Sequence, residues 1–183
     1  MNNLEQFFEL IENQFQYGGQ KYAQTETKEA TDVLFDDFGK NWLFGTIAKY
    51  VKRYSNLARE RDLLKISCYM FILWLKRGFH LTREGSPESI NTTVRVKSKY
   101  FNKFRKEIGY YIGADLDDLA FEGSLELDTI YVLLKEFKTI DFKDVSQKDL
   151  LEIFVLAYIV WERDIKLKGG DRDTYNEERG KNV

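Results

Sequence analysis

Proline is almost missing from this chain: Pro87 is the only one in 183 residues, and glycine is held to 12. So few breakers predict long uninterrupted helices. Cysteine is reduced to Cys68, set within an apolar run. That excludes an intrachain disulfide and a thiolate metal cluster, and it fits a reducing compartment. Histidine is reduced to His80, just past a helix end, which excludes a two-histidine metal site within one chain. Neither sign of charge dominates: 28 Lys and Arg stand against 30 Asp and Glu, a net charge of −2. No whole-protein attraction to nucleic acid or anionic membrane is expected, although a local patch is compatible with this balance. Apolar runs long enough for a bilayer are missing as well, since charge interrupts each of them. The N-terminal MNNLEQFFELIENQF has no basic region followed by an apolar run, so no signal peptide is expected. The expectation is a soluble, cytoplasmic protein with no membrane partner. There is also no phosphate-binding glycine loop, no nucleophile elbow and no Cys/His metal pattern.

What the chain has is aromatic bulk and periodicity. Fourteen Phe, eleven Tyr and three Trp are enough for a sizeable core. Leu4, Phe7, Phe8, Ile11 and Phe15 recur at helical spacing, predicting an amphipathic helix that ends before Gly18-Gly19. Gln20 to Lys28 reads as a loop. Glu29 to Phe38 reads as a short helix with Val33, Leu34 and Phe38 inward, stopped by Gly39. The stretch from Gly39 to Gly78 then reads as a helical hairpin. Asn41 caps its first helix, Ser55-Asn56 makes the turn, and the second helix, nearly all apolar, runs to about Arg77. One mouth of this hairpin is ionic, with Lys49, Lys52, Arg53 and the cluster Arg59-Glu60-Arg61-Asp62; the rest is dry. Phe79 to Thr93 is read as a linker. A second half follows over 94–170, with Ser124 capping one helix and Ser146-Gln147-Lys148-Asp149 capping another. The polar tail is 171–183.

The second half echoes the first. Asp62-Leu63-Leu64-Lys65-Ile66 and Asp149-Leu150-Leu151-Glu152-Ile153 match at one offset, which also aligns Ile72 with Ile159 and Trp74 with Trp161. Two readings follow: a duplicated helical hairpin with pseudo-symmetric halves, or convergence of two buried helices on the same residue types. Both give an all-α bundle of about six to eight helices.

Carboxylates on helices are the first candidates for chemistry. Glu9 and Glu12 lie three apart on one helix, and Glu60 and Asp62 open the second helix of the hairpin. Packed side by side, their oxygens would converge on a hard cation such as Mg²⁺. The bland reading is a solvated face and a helix-dipole partner. Lys21, Lys49, Lys52 and Arg53 are candidate phosphate contacts. A separate basic aromatic segment, Val94 to Lys106, carries Arg95, Lys97, Lys99, Lys103 and Arg105 among Tyr100, Phe101 and Phe104. It is read either as a nucleic-acid surface or as an amphipathic helix whose cations meet the acidic block after it.

Tyr17, Gly18, Lys21 and Tyr22 in YGGQKY, then Asn41-Trp42 in GKNW, then a basic helix and DLLKISCYMFILWL form an ordered set. In this order the stretch from Phe15 to Trp74 resembles the N-terminal domain of phage-type dATP/dGTP diphosphohydrolases, themselves similar to the all-α MazG-like nucleotide pyrophosphohydrolases. It is more loosely similar to small phage proteins in which a basic helix precedes a D-L-x-K-A-x-x-Y-L helix. The resemblance implies a Mg²⁺-dependent nucleotide pyrophosphohydrolase or a nucleotide-binding relative of one. Glu9, Glu12 and Asp62 would hold metal, Glu60 and Asp62 would serve catalysis, and Lys21, Lys49, Lys52 and Arg53 would hold phosphates. Two departures stand against hydrolysis. The family's paired histidines are replaced near Lys49-Tyr50 and Asp62-Leu63, and the E-E-x-x-E signature is missing. The alternatives are a helical module binding nucleic acid or a protein partner through 94–106, and a homo-oligomer whose aromatic surplus covers an interface.

Overall fold

The computed structural model describes residues 2–22, 29–86, 90–115 and 125–169. They form six α-helices, and among the described residues there is no strand. No described helix is long and apolar enough to cross a membrane. Helix α1 spans Asn3–Tyr22. Its predicted stripe is the buried one: Phe7, Phe8, Ile11 and Phe15 are all in the core. The expected stop at Gly18-Gly19 is not there; the helix continues to Tyr22, seven residues past Phe15. A helical glycine costs only about 1 kcal/mol, too little to end a helix whose apolar face is already docked. The expected loop over Gln20 to Lys28 is helical to Tyr22, and 23–28 lie outside the described residues.

Helix α2 spans Ala30–Leu57 with one non-helical residue, Gly39, at φ 68° and ψ −164°. The predicted break is there: two helical segments meet across a kink at Gly39, and Asn41 lies inside the second of them rather than capping it. Lys40, just past the kink, donates to the carbonyl oxygens of Phe137 (3.0 Å) and Ile140 at the end of another helix. Before the kink the expected inward face is turned around. Val33 and Phe38 are exposed, and Asp32 is fully buried. The reason lies in the partners of Asp32. Its carboxylate accepts from the backbone N–H and the hydroxyl of Thr92 at 2.8–2.9 Å and pairs with Lys76 at 2.7 Å. A carboxylate so fully satisfied is tolerated inside.

The turn falls two residues later than Ser55-Asn56. Ala58 adopts the left-handed conformation (φ 47°) and its N–H closes on the Tyr54 carbonyl. Helix α3, Glu60–Lys76, follows. It is buried nearly all round, as its continuous apolar sequence demands, and packs against α1, α2, α4 and α6. Lys76 and Arg77 at its end do not face solvent as helix-dipole partners; both are buried. The segment 79–93 is not a bare linker either. Phe79, His80 and Thr92 are buried, and Ser86 N–H returns to the Arg77 carbonyl at 2.9 Å.

Helix α4 is Val94–Asp115, α5 is Leu125–Thr139, and α6 is Gln147–Trp161. A 3₁₀ turn, Phe142–Asp144, leads into α6, and a π-helical turn, Glu162–Leu167, continues it. The predicted Ser146 cap is formed: its Oγ accepts from Asp149 N–H at 3.1 Å. Ser124, Pro87, Gly170 and the tail 171–183 lie outside the described residues. One hydrophobic cluster runs from Phe7 to Ile165 through both halves. Taken as two sets of three, each helix touches its counterpart: α1 on α4, α2 on α5, α3 on α6.

Candidate ligand-binding site

The ionic mouth of the α2–α3 hairpin is closed by the end of α6. Glu60 is buried, and its Oε1 accepts from Trp161 Nε1 at 2.8 Å. Tyr54 donates to Asp164 at 3.1 Å, and burial with that carboxylate beside it pushes the phenol well above its ordinary range. Arg163 bridges Asp164 and the buried Glu126, each at 2.8 Å, which leaves the guanidinium firmly charged. Asp62 is fully buried with Arg53 Nε at 3.6 Å, and neither oxygen has a hydrogen bond among the described residues. This is an internal polar knot that locks α6 to the hairpin.

Burial lifts the Asp62 carboxyl above the ordinary aspartate range, with Arg53 pulling the other way. A raised folded value means the folded state holds the proton more tightly than the unfolded chain does. Stability therefore falls as pH climbs from the ordinary aspartate range through the Asp62 value, and stays lower above it. Asp62→Asn mimics the protonated form. It is expected to melt higher than the parent at pH 7 and level with it near pH 3, checked by melting curves across that span.

The four carboxylates proposed for Mg²⁺ are not gathered. Glu9 is exposed, Glu12 is half-buried, and Glu60 and Asp62 are buried. Among the described residues no three Asp, Glu, His or Cys side chains are close enough to hold an ion. A Mg²⁺ ion needs near-octahedral oxygen donors, and Glu9, Glu12 and Asp62 do not offer that set. The phosphate candidates also divide. Lys49 lies over the Tyr50 ring at 4.7 Å and Arg53 at 5.8 Å, whereas Lys52 turns to Tyr131 of α5 at 5.5 Å. The Lys21 side chain lies outside the described residues.

Tyr50 belongs to a different feature. A cavity of about 160 Å³ lies between α1, the start of α2, α3 and α4. Phe15, Tyr50, Cys68, Tyr69 and Ile72 give it apolar and aromatic walls. Exposed Ala30 and half-buried Gln14, Thr31 and Lys65 mark its mouth. Tyr50 and Tyr69 stack with centroids 5.9 Å apart, and Trp42 meets Tyr69 edge-on. Helical spacing produces this cluster: Lys49 and Arg53 are four apart on α2, Lys65 and Tyr69 four apart on α3. Lys65 lies 5.2 Å from the Tyr50 ring, so three cations surround one wall residue. On another wall Glu29 pairs with Lys97 at 2.8 Å through Oε2. Its Oε1 is buried without a hydrogen bond among the described residues. Burial pushes the Cys68 thiol up to about 12, so it is a neutral wall group rather than a nucleophile.

The basic aromatic segment is divided between the core and the surface. Phe101 and Phe104 are core. Lys97 is neutralised by Glu29 and Arg105 by Glu5, and Lys103 donates to the His80 carbonyl at 2.6 Å. Arg95, Lys99, Lys103 and Lys106 are exposed, Lys99 beside the Tyr100 ring. The helix is amphipathic, and two of its cations, Lys97 and Arg105, pair with carboxylates of Glu29 and of α1; most of the acidic block after it lies outside the described residues. His80 is buried between Trp74 and Tyr100, and burial with Lys103 nearby lowers its pKa, which leaves a neutral packing residue.

A wider cleft of about 470 Å³ between α4 and α6 is lined by Arg83, Glu107, Tyr110, Gln147 and Lys148. Its carboxylate Glu107 already accepts from Gln147 at 3.1 Å. The smaller cavity is the more enclosed of the two. Sequence reasoning missed Glu29 and Lys65 altogether. The available signal for Lys65 was a lone charge in the otherwise apolar DLLKISCYMF.

Fold and cavity together define an all-α bundle with a ring-sized, aromatic-walled pocket under a cluster of cations. No protein-family model, no curated protein and no solved structure matches the chain.

Proposed function

We propose that this chain is a nucleotide-binding helical bundle. One observation carries the reading. Lys49, Arg53 and Lys65 surround Tyr50, and Tyr50 is a wall of a cavity able to take a flat ring. Aromatic walls suit a base, and cations at one edge suit its phosphates. Hydrolysis is not part of the proposal. The carboxylates that would hold Mg²⁺ stand apart, and Glu60 and Asp62 are structural members of a buried knot.

Calorimetric titration with nucleoside triphosphates, with and without Mg²⁺, tests this. Binding is expected in both conditions, weakening as salt rises, with no pyrophosphate released. Lys49→Glu is expected to weaken binding about tenfold, the scale of one charge-assisted contact. Lys52→Glu, whose side chain turns to Tyr131, is expected to leave it within about twofold. No heat and no thermal shift with any nucleotide would end the proposal.

A further inference from the structure

We infer that the surface where α2 meets α5 binds a single strand of nucleic acid, with Tyr131 as the ring on which a base stacks. Elsewhere the partly or fully buried cations of the fold meet carboxylates: Lys76 meets Asp32, Lys97 Glu29, Arg105 Glu5 and Arg163 Glu126. This surface is different. Lys49, Lys52, Lys135 and Lys138 are all exposed, and none of the four forms an ion pair among the described residues. Lys52 Nζ lies 5.5 Å from the centre of the half-buried Tyr131 ring and Lys135 Nζ lies 5.4 Å from it, one lysine from each helix. Two like charges at one ring, with no carboxylate paired to either, attract an anion to that place.

Helical spacing extends the pair into a strip. Lys49 and Lys52 are three apart on α2, and Tyr131, Lys135 and Lys138 follow at four and then three on α5, so each set shares a face. From Lys40 to Leu57, α2 carries no Asp or Glu. Interspersed charges of both signs serve solubility. A cationic strip with an aromatic ring in it serves a polyanion that carries flat bases. A net charge of −2 confines the attraction to the strip. A single strand is favoured over a duplex because only an unstacked base has a face to offer Tyr131. Lys49 joins the strip to the pocket, since its ammonium lies over the Tyr50 ring. Asp128, exposed and one turn before Tyr131, sets a carboxylate at the other end.

The test titrates the full chain into a fluorescent oligothymidylate about twelve nucleotides long, within the range of single-strand site sizes, and reads anisotropy. Binding is expected to weaken with salt at a log–log slope no steeper than about −3, the value for four phosphates at about −0.7 each. Lys52→Glu and Lys135→Glu are each expected to weaken strand binding about tenfold. Both are expected to leave nucleoside triphosphate binding within about twofold, because neither side chain lines the pocket. Tyr131→Ala is expected to lose about tenfold through the missing stack, and Tyr131→Phe, which keeps the ring, to restore the parent value. Asp128→Lys lengthens the strip and is expected to tighten binding, which no misfolded protein would do. If a reversal variant fails to melt cooperatively, Asp128→Lys and the salt slope decide. No binding of the strand overturns the inference and leaves the pocket proposal standing, since triphosphate binding reports on that separately. Strand binding that survives both lysine reversals also overturns it, because the strand then sits elsewhere. Tighter binding of a duplex, or of vesicles of equal parts phosphatidylserine and phosphatidylcholine, overturns the single-strand assignment.

Discussion

Lys76→Met is expected to destabilise the protein by about 3–5 kcal/mol, the scale for leaving a buried charge without its partner. The pair it breaks is completely enclosed: Lys76 Nζ lies 2.7 Å from Asp32, and both side chains are inaccessible to solvent. The ammonium also donates to the Ile90 carbonyl at 2.8 Å and lies 5.1 Å from the Phe35 ring. With methionine in place, Asp32 keeps its bonds to Thr92 but loses its counter-charge. The knot ties three separate places, the first turn of α2, the last turn of α3 and the approach to α4, so its loss loosens the seam between the two sets of helices. Asp32→Leu alone is expected to cost a similar amount, because it strands the ammonium. The double variant Asp32→Leu/Lys76→Met is expected to recover most of the loss, since apolar replacements of a whole buried pair are often neutral or better. Urea unfolding of all four proteins gives the coupling between the two sites. Additive losses in the double variant would show that packing, not charge pairing, is what the two residues contribute.

The helices were legible because a buried face repeats. Phe7, Phe8, Ile11 and Phe15, or the unbroken apolar run after Asp62, announce themselves within a few turns, and the Ser146 cap is a local hydrogen bond. Gly39 was legible as a break between two helical segments, but the angle between them was not. Whether a helix resumes in the same direction depends on what holds the far side, and here Lys40 is held by carbonyls about 100 residues away. The polar interior was illegible for the same reason. Lys97 and Arg105 look like a basic stripe until Glu29 and Glu5 arrive from 68 and 100 residues off. Asp32 looks solvated until Lys76 and Thr92 enclose it. Glu60 and Asp62 were correctly placed at one end of the hairpin, but nothing near them foretold that Trp161 and Arg163 would close that end. A pocket made by four helices has no motif, so its residues could be recognised only after folding.

Gly78→Ala is expected to cost about 2–5 kcal/mol, combining left-handed backbone strain with steric overlap that the loop cannot relieve. Gly78 has φ 76°, and a Cβ added there would fall on the backbone of Ser86. That backbone cannot retreat, because Ser86 N–H is bonded to the Arg77 carbonyl. Gly85, at φ 85°, faces the same obstacle from the other side, where its Cβ would meet the Arg77 carbonyl and guanidinium. Arg77 is the hub. Buried, with its pKa lowered by that burial, it donates to the carbonyls of Val145 (3.0 Å) and Lys143 (2.7 Å) as well as to Glu84 in the loop. A shift in the loop therefore propagates to the 3₁₀ turn before α6 rather than stopping at the surface. Gly18→Ala is the control: it is helical, a Cβ there meets nothing within 4 Å, and replacement is expected to stabilise slightly. Melting temperatures of the two variants, read beside the parent, separate the cases. A Gly78→Ala protein as stable as the parent would mean that the return of Ser86 to Arg77 is not what closes the loop after α3.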